Sequence, residues 1–229
     1  MAENRRVWEV LQLAVIGAMF VVAAMRWGSV PDRIPVHWNA AGDVDGYGGK
    51  FQGLLLLPVI AAALYPLLKY LPRVDPAGRN YESFAGTYLL LRVVVTVYLG
   101  FIYVVLNLAI GNEEAIPVGD LIVGSVGVLF VVLGGAMGKF RPNWFAGIRT
   151  PWTLTSKRSW TKTHRLGGRI FIAAGVTTML GAVIGGQWGF YGMFGVMVPG
   201  VLFLFVYSYF VWRDDPDKIA AQDVTPSGD

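Results

Sequence analysis

Residues 138–169 read GKFRPNWFAGIRTPWTLTSKRSWTKTHRLGGR. The stretch holds eight basic residues (Lys139, Arg141, Arg149, Lys157, Arg158, Lys162, Arg165 and Arg169), three tryptophans and His164, with no acid among them. Working outward, no Asp or Glu occurs between Asp120 and Asp214. Apolar runs flank the stretch on both sides, each of about 20 residues, the length that crosses a hydrocarbon core about 30 Å thick at about 1.5 Å per residue. A cationic, aromatic loop between two such runs decides the class: a membrane protein that keeps this loop on the cytoplasmic side.

Composition agrees. Of 229 residues, 55% are hydrophobic and 15% charged, against about 25% charged in a soluble domain. With no cysteine in the chain, disulfides, thiolate metal sites and cysteine nucleophiles are excluded. The net charge of +4 does not indicate direct nucleic-acid binding. Its bases gather at the ends of apolar runs, where the positive-inside rule and anionic lipid account for them.

Six apolar runs, at 7–27, 51–71, 87–110, 121–137, 170–186 and 190–212, predict an all-α membrane protein, a bundle of six transmembrane helices. The first run is too long for a signal peptide and lacks an A-x-A site. Arg5, Arg6, Lys69, Arg73, Arg79, the eight bases of the central loop, Arg213 and Lys218 fall on one side of the bilayer. Arg26, Arg33 and Lys50 fall on the other, and the turn at 111–120 carries only Glu113, Glu114 and Asp120. Both termini and the central loop are therefore expected in the cytoplasm, with residues 28–50 outside.

Three units follow: an N-terminal membrane domain (1–71) with an extracellular loop (28–50), a four-helix domain (72–212) with the basic loop, and a disordered cytoplasmic tail (213–229). Pro58 and Pro66 lie inside the second run, which should be kinked or packed on a neighbour that satisfies the freed carbonyls. Gly134-x-x-x-Gly138 and Gly181-x-x-x-Gly185 permit close helix approach, and with it an oligomer through the glycine-rich helices.

Two loops carry the candidate chemistry. In the outer one, Pro35, His37, Trp38, Asn39, Asp43, Asp45, Gly46 and Tyr47 make a small recognition surface held by glycine turns. His37 with Asp43 or Asp45 is the candidate for a divalent metal, but zinc normally takes three or four protein ligands, and Asp-x-Asp-Gly is only part of a calcium loop, missing its Glu. Turn capping by the two aspartates is the plainer reading. No cofactor is expected.

The inner loop divides into an irregular part (140–150) and a short interfacial helix running from Ser156, an N-cap candidate, to Leu166. Arginines snorkelling to lipid and tryptophans anchoring the helix would explain its charge. A docking platform for an acidic cytoplasmic partner or an anionic substrate is the sharper reading, built from Lys139, Arg141, Pro142, Asn143, Arg149, Thr150, Pro151, Trp152, Trp160, His164 and Arg165. Within the spans, Arg92 is expected to snorkel to the nearby surface, and Asn107 and Gln12 to bond between helices. The chain has no H-E-x-x-H, no G-x-S-x-G and no phosphate-cradling loop. The reading is non-enzymatic.

Two motifs carry a resemblance. Residues 34–47, IPVHWNAAGDVDGY, resemble the signature IPxHWNxxGxxDGYG of a bacterial membrane domain of unknown function. Residues 138–154 (GKFRPNWFAGIRTPWTL), followed by Trp160, Thr163, His164, Arg165, Gly167 and Gly168, resemble the signature of the SdpI family of bacterial immunity membrane proteins. The resemblance implies a six-helix inner-membrane protein that protects its host from a secreted peptide toxin. In some members it also implies sequestration of a cytoplasmic transcription repressor at the membrane. A small transporter or lipid- or peptide-handling protein, with a cavity among the second, third and fourth helices near Arg92 and Asn107, is the alternative. A metal-dependent hydrolase at His37, Asp43 and Asp45 is the third reading.

Overall fold

The computed structural model describes residues 2–112 and 115–219. The acidic pair Glu113 and Glu114, and most of the tail, lie outside the described residues. In chain order, α1 covers Ala2–Arg26, β1 Ile34–Trp38, β2 Val44–Gly48, α2 Leu56–Val74 and α3 Ala85–Ala109. Then come α4 at Val118–Met137, the four-residue α5 at Pro151–Leu154, α6 at Lys157–Ile184 and α7 at Trp188–Arg213. Among the described residues, six helical segments are long and apolar enough to cross a bilayer. The all-α, six-helix architecture expected from the hydropathy is what the chain adopts. α1, α2 and α3 pack together, α4, α6 and α7 form a second group, and α3 meets α4 between them.

The second span opens with a π-helical turn at Phe51–Leu55, and Pro66 and Pro72 lie inside α2. Pro72 has no N–H, so the carbonyl of Leu68 loses its helical donor. The hydroxyl of Tyr88 on α3 donates to that carbonyl at 2.7 Å. A neighbouring helix thus supplies the hydrogen bond that the proline removes.

The seam between α4 and α6 is made of glycine. A Cβ at Gly134 would stand 2.6 Å from the Gly168 carbonyl oxygen, and one at Gly127 would stand 2.7 Å from that of Gly175. These four glycines, two turns apart on each helix, let the backbones touch. Of the glycines expected to permit close approach, Gly134 does so in this seam and Gly181 does so against the start of α7, where a Cβ would stand 2.5 Å from the Trp188 carbonyl oxygen, while Gly138 meets only the Arg165 side chain at 3.6 Å.

Two local expectations are corrected. Residues 28–50, read as a structured loop without strands, contain an antiparallel hairpin in which Ile34 faces Gly48, Pro35 faces Tyr47, His37 faces Gly46 and Trp38 faces Val44. The strands are only five residues long, with two glycines in β2, so no alternating apolar pattern announces them. Ile34 anchors the hairpin, fully buried among Ala23, Val30, Leu54 and Ile110, a burial that contributes about 1.5–3 kcal/mol. The separate interfacial helix of 156–166 is not present either. Its residues are the opening of α6, which continues unbroken through Gly167 and Gly168 because those glycines seat against α4 and Ile148.

Candidate functional site

The basic loop is a folded structure held from outside itself. Asn143 is buried and closes the turn around it: its Oδ1 accepts from the backbone N–H of Phe145 (3.0 Å) and Ala146 (2.6 Å), and its Nδ2 donates to the carbonyls of Arg141 and Ala146. Thr150 caps α5 in a capping box with Thr153, which satisfies two backbone donors reciprocally. Ser156 caps α6, accepting from the N–H of Ser159.

From the first two turns of α6, Trp160 and His164 stack with ring centroids 4.0 Å apart. Trp160 Nε1 donates to the Phe140 carbonyl at 2.9 Å. His164 uses both nitrogens, Nδ1–H donating to the Trp160 carbonyl at 2.8 Å and Nε2 accepting from the Ile148 N–H at 2.9 Å. Accepting at Nε2 requires the uncharged ring.

Two carboxylates from distant segments secure this acid-free stretch, and sequence reasoning singled out neither. Buried Asp75, after α2, accepts from the Trp144 N–H at 3.1 Å and from the Tyr81 hydroxyl at 2.8 Å. Buried Asp215, after α7, accepts from the Ser156 hydroxyl at 2.5 Å. Ser208 of α7 bonds Thr150 at 3.0 Å.

The motif therefore splits by role. Asn143, Thr150, Trp160 and His164 are buried, while Pro142 and Trp152 are partly covered, the latter against Phe205 and Tyr209. Pro151 and all eight bases, including Lys139, Arg141, Arg149 and Arg165, are exposed. The Arg149 guanidinium donates to the Trp144 carbonyl. What the loop can offer a partner is a cationic rim on a rigid frame.

At the opposite end, the hairpin tip is an Asx turn. Asn39 Oδ1 accepts from the N–H of Ala41 and Asp43 at 2.9 and 3.0 Å, and Gly42 takes φ +94°, which favours glycine. His37 Nδ1 and Asp45 Oδ1 are 2.5 Å apart on the exposed face, and Asn39 Nδ2 reaches Asp43 at 3.3 Å. His37 and Asp43 thus have different partners. Among the described residues no group of three His, Cys, Asp or Glu is placed to hold a metal. Gly46 is required because a Cβ there would lie 2.7 Å from that of His37, and Tyr47 lies under the Arg33 guanidinium at 4.6 Å. Pro35 is buried and Trp38 packs toward Val105, Ala109 and Val118.

Beneath the hairpin is a cavity of about 640 Å³, lined by β1 and by α2, α3, α4 and α7. It is mostly apolar, with Leu106, Ile122 and Phe190 among its walls. A cavity near helices two to four was expected, but Arg92 and Asn107 do not line it.

Arg92 and Asn107 sit toward opposite ends of α3. Asn107 accepts from the Arg26 guanidinium at the hairpin end. Arg92 does not snorkel outward: its side chain is 8% exposed and turned inward, its Nη1 3.7 Å from Glu9 of α1. The Glu9 carboxylate on the neighbouring helix holds it there, although the surface is close by. Gln12, also buried, donates to the Trp8 carbonyl and approaches Thr96 at 3.5 Å.

Comparison with known proteins agrees with both motifs. Residues 139–208 match the SdpI/YfhL protein family, and residues 14–62 match a domain of unknown function, DUF1648. The chain is 23% identical over 171 residues to the Immunity protein SdpI of Bacillus subtilis (strain 168), an alignment covering 72% of this chain and 77% of that protein. No solved structure matches it.

Proposed function

We propose that this SdpI-family membrane protein is a non-enzymatic immunity protein that gives resistance to a secreted antimicrobial peptide. The similarity to an immunity protein over 72% of the chain carries this reading. The orientation that goes with it places both termini and the basic rim in the cytoplasm of a bacterial inner membrane and the hairpin outside, following the positive-inside rule. The exposed face of the hairpin, with His37, Asn39, Asp43 and Asp45, is then the surface that meets the toxin. The cationic rim of Arg141, Arg149, Arg158 and Arg165 is the surface that holds an acidic cytoplasmic partner, a transcription repressor in the signalling form of this function.

The test is expression of the full chain in a bacterium sensitive to a secreted peptide toxin. Survival should rise with the wild-type chain and fall back when Asp45 and His37 are both replaced by Ala, at equal protein level in the membrane. Unchanged killing with wild-type chain present in the membrane would overturn the immunity reading.

A further inference from the structure

Between α1, α2 and α3, at the end of the bundle that carries the basic loop, lies a second cavity of about 450 Å³. Four cations line it (Arg5, Lys69, Arg73 and Arg92) against two carboxylates (Glu9 and Glu82). Its inner wall is unbalanced. Lys69 Nζ donates to Glu9 Oε2 at 2.8 Å, and Arg92 Nη1 faces Glu9 Oε1 at 3.7 Å. One carboxylate serves two cations.

The guanidinium of Arg92 is buried inside a span, and its Nε and Nη2 have no hydrogen-bond partner. A charged donor left unpaired in such a place is costly. The Tyr65 ring covers the group at 5.6 Å, which offers cation–π attraction but takes neither N–H. Nε and Nη2 form one edge of the planar guanidinium, the edge that binds two oxygens of a single oxyanion side by side. Since Nη1 is turned to Glu9, this free edge is what remains for a ligand.

We infer that the cavity binds a phosphate-bearing anion, seated on the free edge of Arg92 with Arg5 and Arg73 around it. Its level in the bundle agrees with that chemistry. Arg5 begins an apolar span and Lys69 and Arg73 end another, so the cavity opens where lipid phosphates lie. The apolar side chain of Leu89 and the ring of Pro72 complete its wall, which suits the glycerol end of an anionic lipid as well as a free phosphate. The site is separate from the hairpin and does not depend on the immunity reading.

The test uses the full chain in neutral detergent, following thermal unfolding with added phosphatidylglycerol, phosphatidylcholine or inorganic phosphate. Phosphatidylglycerol should raise the midpoint saturably, and phosphatidylcholine should not. If inorganic phosphate alone does the same at millimolar levels, the ligand is the free ion; if it does not, it is the lipid. Arg92→Gln should abolish the response. Arg73→Gln, at the accessible wall, should weaken apparent affinity about tenfold, the size of one charge-assisted hydrogen bond. Glu9→Gln removes the competing carboxylate and should strengthen binding, an outcome that a purely structural ion pair would not produce. Arg158→Gln on the basic rim should change nothing. The inference fails if neither lipid nor phosphate stabilises saturably, or if Arg158→Gln weakens the response as much as Arg73→Gln.

Discussion

At the scale of single residues, the conspicuous side chains of the basic loop work inward. His164 accepts the Ile148 N–H and stacks on Trp160, while Gly147 lies against its ring at φ +116°. Replacing His164 by Ala leaves a buried N–H without an acceptor and opens space beside Trp160, a loss of about 2–3 kcal/mol. Tryptic cleavage after Arg149 in membrane vesicles should accelerate and the unfolding midpoint should drop. Cleavage as slow as in the wild type would remove the buttressing role. Gly147→Ala should produce the same fragment, because a Cβ would meet the imidazole and the backbone conformation is strained for any other residue. Asn143→Ala unties five hydrogen bonds at once, the one from the Tyr81 hydroxyl among them, and should be the most damaging of the three.

Among the elements, the α4–α6 seam brings two helix backbones together, and the glycines of α4 sort into those that touch and those that do not. Gly134→Leu must push α6 away by its carbonyl at Gly168, and should cost at least about 1–3 kcal/mol, the range for overpacking. Gly135, next along α4, has nothing within 4 Å of a Cβ, so Gly135→Ala should leave the unfolding midpoint of the detergent-solubilised protein within a degree or two. Equal effects at the two positions would contradict the seam. The same logic applies to the hairpin. Gly46→Val would separate β1 from β2 at His37 and break the 2.5 Å pairing with Asp45, so the variant hairpin should become a site of proteolysis.

Across the whole molecule, the hairpin and the basic rim occupy opposite ends of one bundle, and the proposed orientation assigns each a side of the membrane. The chain contains no cysteine, so single cysteines report without background. With an impermeant maleimide on intact cells, Asp43→Cys should label and Lys157→Cys should label only after permeabilisation. The reverse pattern would invert the topology and with it the toxin-facing role of the hairpin.

Hydropathy determined the class and the six spans, because a helix in lipid must satisfy its backbone within itself and needs only enough apolar length, and the distribution of Lys and Arg determined the expected sidedness. The start of α6 at Ser156 was equally legible, since a cap is a contact three residues long. The hairpin was not, because its short strands owe their stability to Ile34 reaching into a core built by Ala23 of α1, Val30, Leu54 of the π-helical turn and Ile110. Nor was the polar framework of the site. Glu9 meets Lys69 across 60 residues, Asp75 meets Trp144 across 69, and Ser156 meets Asp215 across 59. Such pairs leave no periodic trace in the chain. Only the packing of the helices decided that buried Asp75 and Asp215 would hold an acid-free loop, and that one glutamate would be left to answer two cations.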